Sequence, residues 1–437
     1  MNYLLNFIFV IVLVIGIGYF ANNVKKLIRN IKLGQPVNVS DNKTQRWKNM
    51  AMIALGQSKM VRRPVSGILH VIVYIGFIII NIEVLEIIID GVFGTHRIGL
   101  TVLPESVYGF LIGTFEVLAV LVILAVIVFW LRRNTLKLAR FWKSEMTSWP
   151  KNDANYILYF EVVLMSLFLT MNATDMPFQS IESGNVISQF IAPWFGGLPE
   201  TTLHVIERTA WWLHIIGILV FLNYLYFSKH LHILLAFPNT YFGKITPKGQ
   251  LNNVASVTKE VKMMMDPNSD PFAAPAEGTQ NDIPAKFGAS DVQDLSWVQL
   301  LNAYSCTECG RCTSECPANL TGKKLSPRKI MMDTRDRLEE VGKNIDANKG
   351  IFKDDGKQLL GNYITTEELW ACTTCNACVE ACPISIDPLS IIIEMRRYLV
   401  MEQSAAPAEL NNMMTNIENN GAPWAYSQMD RLNWKNE

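Results

Sequence analysis

Cys306, Cys309, Cys312 and Cys316-Pro317 repeat their spacing at Cys372, Cys375, Cys378 and Cys382-Pro383, and these are all eight cysteines of the 437-residue chain. Each run reads C-x2-C-x2-C-x3-C-P, the thiolate pattern that holds [4Fe-4S] clusters in two-cluster ferredoxins. The chemistry of such a site is one-electron transfer. Disulfides need an oxidising compartment, and a triple of cysteines three apart is poorly placed to pair. Structural zinc favours two close pairs over a triple followed by Cys-Pro. In this pattern the fourth cysteine ligates the other cluster. The expected sets are therefore Cys306, Cys309, Cys312 with Cys382, and Cys372, Cys375, Cys378 with Cys316. Sharing of this kind sets two clusters roughly 10 to 12 Å apart, a distance electrons cross quickly.

His70, His214, His230 and His232 form a second group, in or beside apolar stretches. A histidine there is costly and usually functional. If one helix ran on from His214, a residue 18 positions later would return to the same face at about 100° per residue, and His230 would lie about 160° away. His70 and His232 are expected at one membrane depth on different helices, which suits two axial imidazoles on a haem b iron. The plainer alternatives are a snorkelling His232 and a His70 bonded to a neighbouring helix. His214 is a candidate ligand for a second haem on the outer side, but ten residues after His70 stands Ile80, so a partner is missing. Glu83, Glu86, Glu116 and Glu161 fall within or near the same stretches, as proton relays to a quinone or as groups buried between helices.

Half of the residues are hydrophobic and only 18% are charged, with a formal net charge of zero. That balance carries no nucleic-acid signal. Apolar runs long enough to cross a bilayer occupy about 3–21, 65–91, 106–131, 155–172 and 206–228. No Lys or Arg precedes the first run, which reads as a retained helix rather than a signal peptide. Lys and Arg crowd the segments after spans one and three, whereas 173–203 has neither. By the positive-inside rule the N-terminus is outside and the cysteines lie in the cytoplasm. Pro, Asp, Asn and Ala dominate the stretch before the cysteines, which reads as a linker around Asp266-Pro267-Asn268-Ser269-Asp270-Pro271. Helical periodicity then resumes, without strand alternation between the two cysteine runs. No Gly-rich dinucleotide motif sits in a βαβ setting.

The expected fold class is all-α: a five-helix transmembrane haem b bundle fused to a cytoplasmic α-helical ferredoxin domain with two [4Fe-4S] clusters. The expected divisions are 1–240 for the bundle, 241–292 for the linker, 293–403 for the ferredoxin domain and 404–437 for a tail.

The five spans with His70, His214 and Ser228-Lys229-His230-Leu231-His232 resemble the haem b membrane subunits of respiratory nitrate reductases and membrane-bound heterodisulfide reductases. The segment from Phe287 to Val400, with Cys306-Thr307-Glu308-Cys309-Gly310-Arg311-Cys312 and Leu369-Trp370-Ala371-Cys372-Thr373-Thr374-Cys375, resembles the helical ferredoxin part of heterodisulfide reductase-like iron-sulfur oxidoreductases. The resemblance implies a subunit of the bacterial cytoplasmic membrane that passes electrons between a cytoplasmic donor and menaquinone. In one branch the donor is electron-transfer flavoprotein. The one-haem ligand positions carry over to His70 and His232. Longer relatives continue into a cysteine-rich domain with paired C-C-G motifs, whereas no cysteine follows Cys382 here. The tail from Ala422-Pro423-Trp424 to Asn433-Trp434 resembles the stretch leading into that domain, so a cysteine-rich iron-sulfur partner is expected to dock near Trp424 and Trp434. The rival readings are a quinol-dependent reductase of a disulfide-type acceptor and a non-catalytic redox sensor or scaffold.

Overall fold

The computed structural model describes residues 2–181, 183–247, 249–267 and 286–436. Within the sequence expected to be a linker, residues 248 and 268–285 thus lie outside the described residues. Among those described there is no sheet, only isolated bridges pairing Gln35 with Ser296 and Leu360 with Ile364.

Among the described residues, five helices are long and apolar enough to cross a membrane: α1 (Asn2–Ile31), α2 (Pro64–Phe93), α3 (Glu105–Asn134), α4 (Ser148–Thr174) and α5 (Glu200–Tyr224). Pro64 opens α2, where its missing N–H would have had no helical partner. Gly94 closes it at φ 73°, its N–H bonded to the Asp90 carbonyl, a left-handed cap that glycine adopts without a Cβ clash. Pro104 and Pro199 precede α3 and α5. The bundle core is built from Ile112, Phe115 and Ala119 of α3, Phe168 of α4 and Ile215 of α5. Helices α2 and α3 approach closely at Gly76, where a Cβ would stand 2.6 Å from Val122 Cγ2. Small residues at such crossings let helices pack in lipid without a hydrophobic driving force.

Helix α5 does not run on to His232, as the 18-residue spacing assumed. It ends at Tyr224, and short turns at Leu225–Phe227 and Lys229–Leu231 flank an extended Ser228 before α6 (His232–Phe242). Asp153 of α4 organises this break, accepting from Tyr224 Oη at 2.6 Å and from the Lys229 N–H at 3.1 Å. Ser228 Oγ accepts from the His230 N–H at 3.0 Å. Local hydrogen bonds of this kind offer the backbone an alternative to the helix.

The longer helices that follow are α7 (Ala255–Met265), α8 (Trp297–Ser305), α9 (Pro327–Ala347), α10 (Pro388–Met401) and α11 (Ala408–Asn420), with one-turn segments around the cysteines. Helix α7 falls inside the stretch read as linker. Residues from 286 onward join the cysteine region, since the Ala289 N–H bonds Glu394 O at 2.9 Å and Asp291 pairs with Arg337 at 2.8 Å. Arg337 is fully buried and also pairs with Asp355 at 2.6 Å, fastening both flanks of α9.

The cysteine region is docked on one end of the bundle. Arg311 donates to Met60 O at 3.3 Å and Lys59 Nζ donates to Val379 O at 3.1 Å. Arg63 pairs with Glu315 at 2.6 Å, and Arg328 pairs with Glu145 at 2.7 Å. The basic segments at 59–63 and 133–143 therefore share one end of the bundle with the cysteines.

Candidate functional site

Both cysteine runs fold into the same loop. Glu308 and Thr374, two residues after the first cysteine of each run, have φ of 53° and 57°, and Gly310 and Asn376 have 72° and 61°. These left-handed residues curl each run around an enclosed space, with backbone N–H groups turned toward sulfur. The Thr374 N–H lies 3.4 Å from Cys372 Sγ. Successive N–H groups in such a curl form an anion-binding nest.

The loops line two cavities, and the cysteines divide between them, with Cys378 reaching both. One, of about 380 Å³, is lined by Cys306, Cys309, Cys312 and Cys382 and also reaches Cys378. The other, of about 320 Å³, is lined by Cys316, Cys372, Cys375 and Cys378. All eight cysteines are free thiols. Burial pushes the Cys306 thiol up to about 12 and the Cys382 thiol up to about 11. Thiolates buried this deeply need a cation beside them, and four converging on each cavity fit the donor set of an iron-sulfur cluster.

A buried charge network surrounds the first cavity, and sequence reasoning did not find it. Glu308 is 4% exposed and is held by Lys229 at 2.6 Å and Arg335 at 2.8 Å. Burial alone would raise its carboxyl, but Lys229 and Arg335 more than offset this and hold it at about 2. A carboxylate between two cysteines of the first run, where the second run has Thr374, is the sequence signal for such a compensating cation. Truncating one partner of a buried ion pair costs about 3–5 kcal/mol. Glu308→Ala is therefore expected to lower the thermal transition of the purified protein in detergent, and Glu308→Gln to lower it less. An unchanged transition in both variants would contradict this reading of the network.

The same Lys229 leads to the histidines. Its carbonyl lies 3.1 Å from His232 Nδ1, which leaves the other ring nitrogen of His232 free to face a ligand. The His232 ring stands 6.4 Å from that of His70 on α2, centroid to centroid, at an angle of 40°. Two metal–nitrogen bonds of about 2 Å and two ring half-widths of about 1.1 Å span about 6 Å, so the pair fits axial ligation of one iron. Behind the Cys382 loop, Asn239 of α6 donates to Ile384 O at 2.8 Å. The helix that begins with His232 is thus fastened to the cysteine loops at both ends.

His230 differs from its helical expectation. Because the helix breaks before it, its ring lies 5.3 Å from that of His232 rather than on the far side. His214 is 1% exposed, its Nδ1 lacks a protein partner, and its ring contact is Phe168 at 6.2 Å. Ile80 is buried in the bundle core. The structure therefore brings His70 and His232 together and leaves His214 apart. Trp424 and Trp434 are 47% and 72% exposed.

Residues 305–386 match the model of the 4Fe-4S dicluster domain family. This region is a 4Fe-4S dicluster domain. The chain is 29% identical over 460 aligned residues to a probable iron-sulfur-binding oxidoreductase, FadF, of Bacillus subtilis, covering 98% of this chain and 60% of that protein. It is 25% identical over 430 residues to the EtfAB:quinone oxidoreductase of Syntrophomonas wolfei, covering 91% of this chain and 55% of the relative. Over 107 residues it is 36% identical to one component of the ferredoxin/F420H2-dependent CoB-CoM heterodisulfide reductase of Methanosarcina acetivorans, covering 24% of this chain and 52% of that component. The chain spans little more than half the length of the first two relatives. No solved structure matches it. The chain is a homologue of iron-sulfur oxidoreductases, with its dicluster domain joined to a bundle of five membrane-length helices.

Proposed function

We propose that this chain is a membrane electron-transfer subunit that moves electrons between a cytoplasmic donor and the menaquinone pool. Cys306, Cys309, Cys312 and Cys382 hold one [4Fe-4S] cluster, and Cys372, Cys375, Cys378 and Cys316 hold the other. His70 and His232 hold a single haem b, and His214 does not ligate a second. These groups supply one-electron storage, which splits a two-electron donor into steps that a quinone accepts in turn. The protein's own contribution is positional: the curled loops fix the thiolates, Glu308 and Lys229 fix the turn before His232, and the bundle excludes water. The chain sits in the bacterial cytoplasmic membrane with its N-terminus outside and the dicluster domain in the cytoplasm, in keeping with the basic segments at the docked end.

The observation that carries this reading is the direct attachment of the cysteine loops to the turn and helix bearing His232, through Glu308 with Lys229 and Ile384 with Asn239. The name of the Syntrophomonas relative supports a quinone acceptor and an electron-transfer flavoprotein donor. A cysteine-rich iron-sulfur unit with paired C-C-G motifs is the proposed intermediary, contacting the exposed Trp424 and Trp434. Adding a menaquinol analogue to the oxidised, purified complex is expected to reduce haem b, seen as the appearance of its reduced-state absorption band. A band that does not respond sinks the proposal.

A further inference from the structure

The bundle end remote from the clusters holds a polar cavity of about 280 Å³ that no step above uses. It is lined by Glu83, Glu86 and Asp90 of α2, by His96 and Arg97 of the following loop, by Asp175 after α4, and by Glu207 and Arg208 of α5. Five carboxyl groups thus face two guanidiniums, a formal excess of three negative charges if all are ionised, between walls that include Ile87, Met171 and Trp211. Unpaired buried anions are expensive, so the cavity must take up cations.

Part of this cluster is a finished structural network. Arg97 is bonded to Asp175 at 2.5 Å, to Asn172 at 2.9 Å and to Tyr108 at 3.3 Å, and Asn172 donates to Glu116 at 3.0 Å. Glu116 in turn accepts from the N–H groups of Ile187 and Ser188. Asp90 accepts from the N–H groups of Arg97 and Ile98 and so shapes the loop. Arg208 covers both oxygens of Glu207. Both guanidiniums are thus committed to carboxylates.

Glu83 stands outside that network. Its side chain is 3% exposed, lines the cavity and has an oxygen, Oε2, with no hydrogen-bond partner. It lies seven residues, about 10 Å, deeper along α2 than Asp90. Glu86 stands between the two and reaches Tyr108 Oη at 3.1 Å. At the mouth, His96 is 43% exposed at its side chain and its Nε2 is 3.4 Å from Asp175 Oδ2. Ligand atoms of His96, Asp175 and Glu207 all lie within 4.8 Å of one another. His204, 72% exposed, flanks Glu207. An imidazole between water and a buried carboxylate is suited to carry protons.

We propose that this cavity is a proton port, taking protons in at His96 and delivering them toward the membrane interior at Glu83. The inference rests on the quinone-linked reading above. Reduction of menaquinone to menaquinol consumes two electrons and two protons. The electrons come from the reduced donor at the cluster end, and the protons enter from the opposite face. Turnover therefore moves charge across the membrane.

The test uses the complete protein in liposomes containing menaquinone, with a pH-sensitive dye trapped in a weakly buffered lumen. External dithionite, which does not cross the bilayer, reduces only molecules whose dicluster domain faces outward. Wild-type protein is expected to make the lumen alkaline as quinol forms. Glu83→Gln is expected to slow that alkalinisation at least about tenfold with iron and haem content unchanged. His96→Ala, altered at a half-exposed position that tolerates substitution, is expected to slow it as well and keeps the test open if Glu83→Gln does not fold. Quinol formation without any lumen pH change in wild type overturns the port and spares the function. Absence of quinol formation overturns the quinone reading and the port together.

Discussion

Replacing Cys382 by serine is expected to remove the cluster of the first cysteine run, although Cys382 belongs to the second run in sequence. About half of the cluster iron should be lost, because a serine hydroxyl does not replace a thiolate ligand in a buried site. The reason is spatial: Cys382 lines the cavity of Cys306, Cys309 and Cys312, while Cys316 lines that of Cys372, Cys375 and Cys378. Reference variants decide which cluster has gone. The low-temperature EPR spectrum of reduced Cys382→Ser should match that of Cys309→Ser and differ from that of Cys375→Ser. The reverse match would mean that each run serves its own cluster.

His232→Ala is expected to abolish haem b while leaving both clusters in place. Loss of an axial imidazole removes a ligand outright, so quinone-linked turnover should fall by about 100-fold or more, exceeding the change that outer-shell losses produce. His70→Ala should behave the same way. The neighbouring histidines make the test specific. His230 lies close to His232 but outside the facing pair, and the His214 ring lies beside that of Phe168. His230→Ala and His214→Ala should retain a haem b absorption band at wild-type stoichiometry. Loss of haem in His214→Ala with retention in His232→Ala would reverse the assignment.

Much of this architecture is legible in the residues because its signals are local. Cysteine spacing writes out the loops, since two left-handed residues at matching positions of each run follow from the same short motif. Apolar length marks the five membrane helices, because lipid requires each to satisfy its own backbone. The break between Tyr224 and His232 is not legible, because it depends on Asp153, a residue far away in sequence. An 18-residue spacing therefore reads as one helix when two exist, and His230 comes out on the wrong side. Glu308 is visible as a carboxylate among thiolates, but its partners Lys229 and Arg335 come from a distant turn and a later helix that only the fold brings together. The cavity at the far end is hidden for the same reason: Glu83, Asp175 and Glu207 belong to three different segments, and nothing in their sequence spacing links them.

The most direct test of the whole account is a count of iron, acid-labile sulfide and extractable haem on protein purified without oxygen. Two four-iron clusters and one haem predict about nine iron atoms, about eight sulfides and about one haem per chain. Iron far below that number, with no extractable haem, would contradict it.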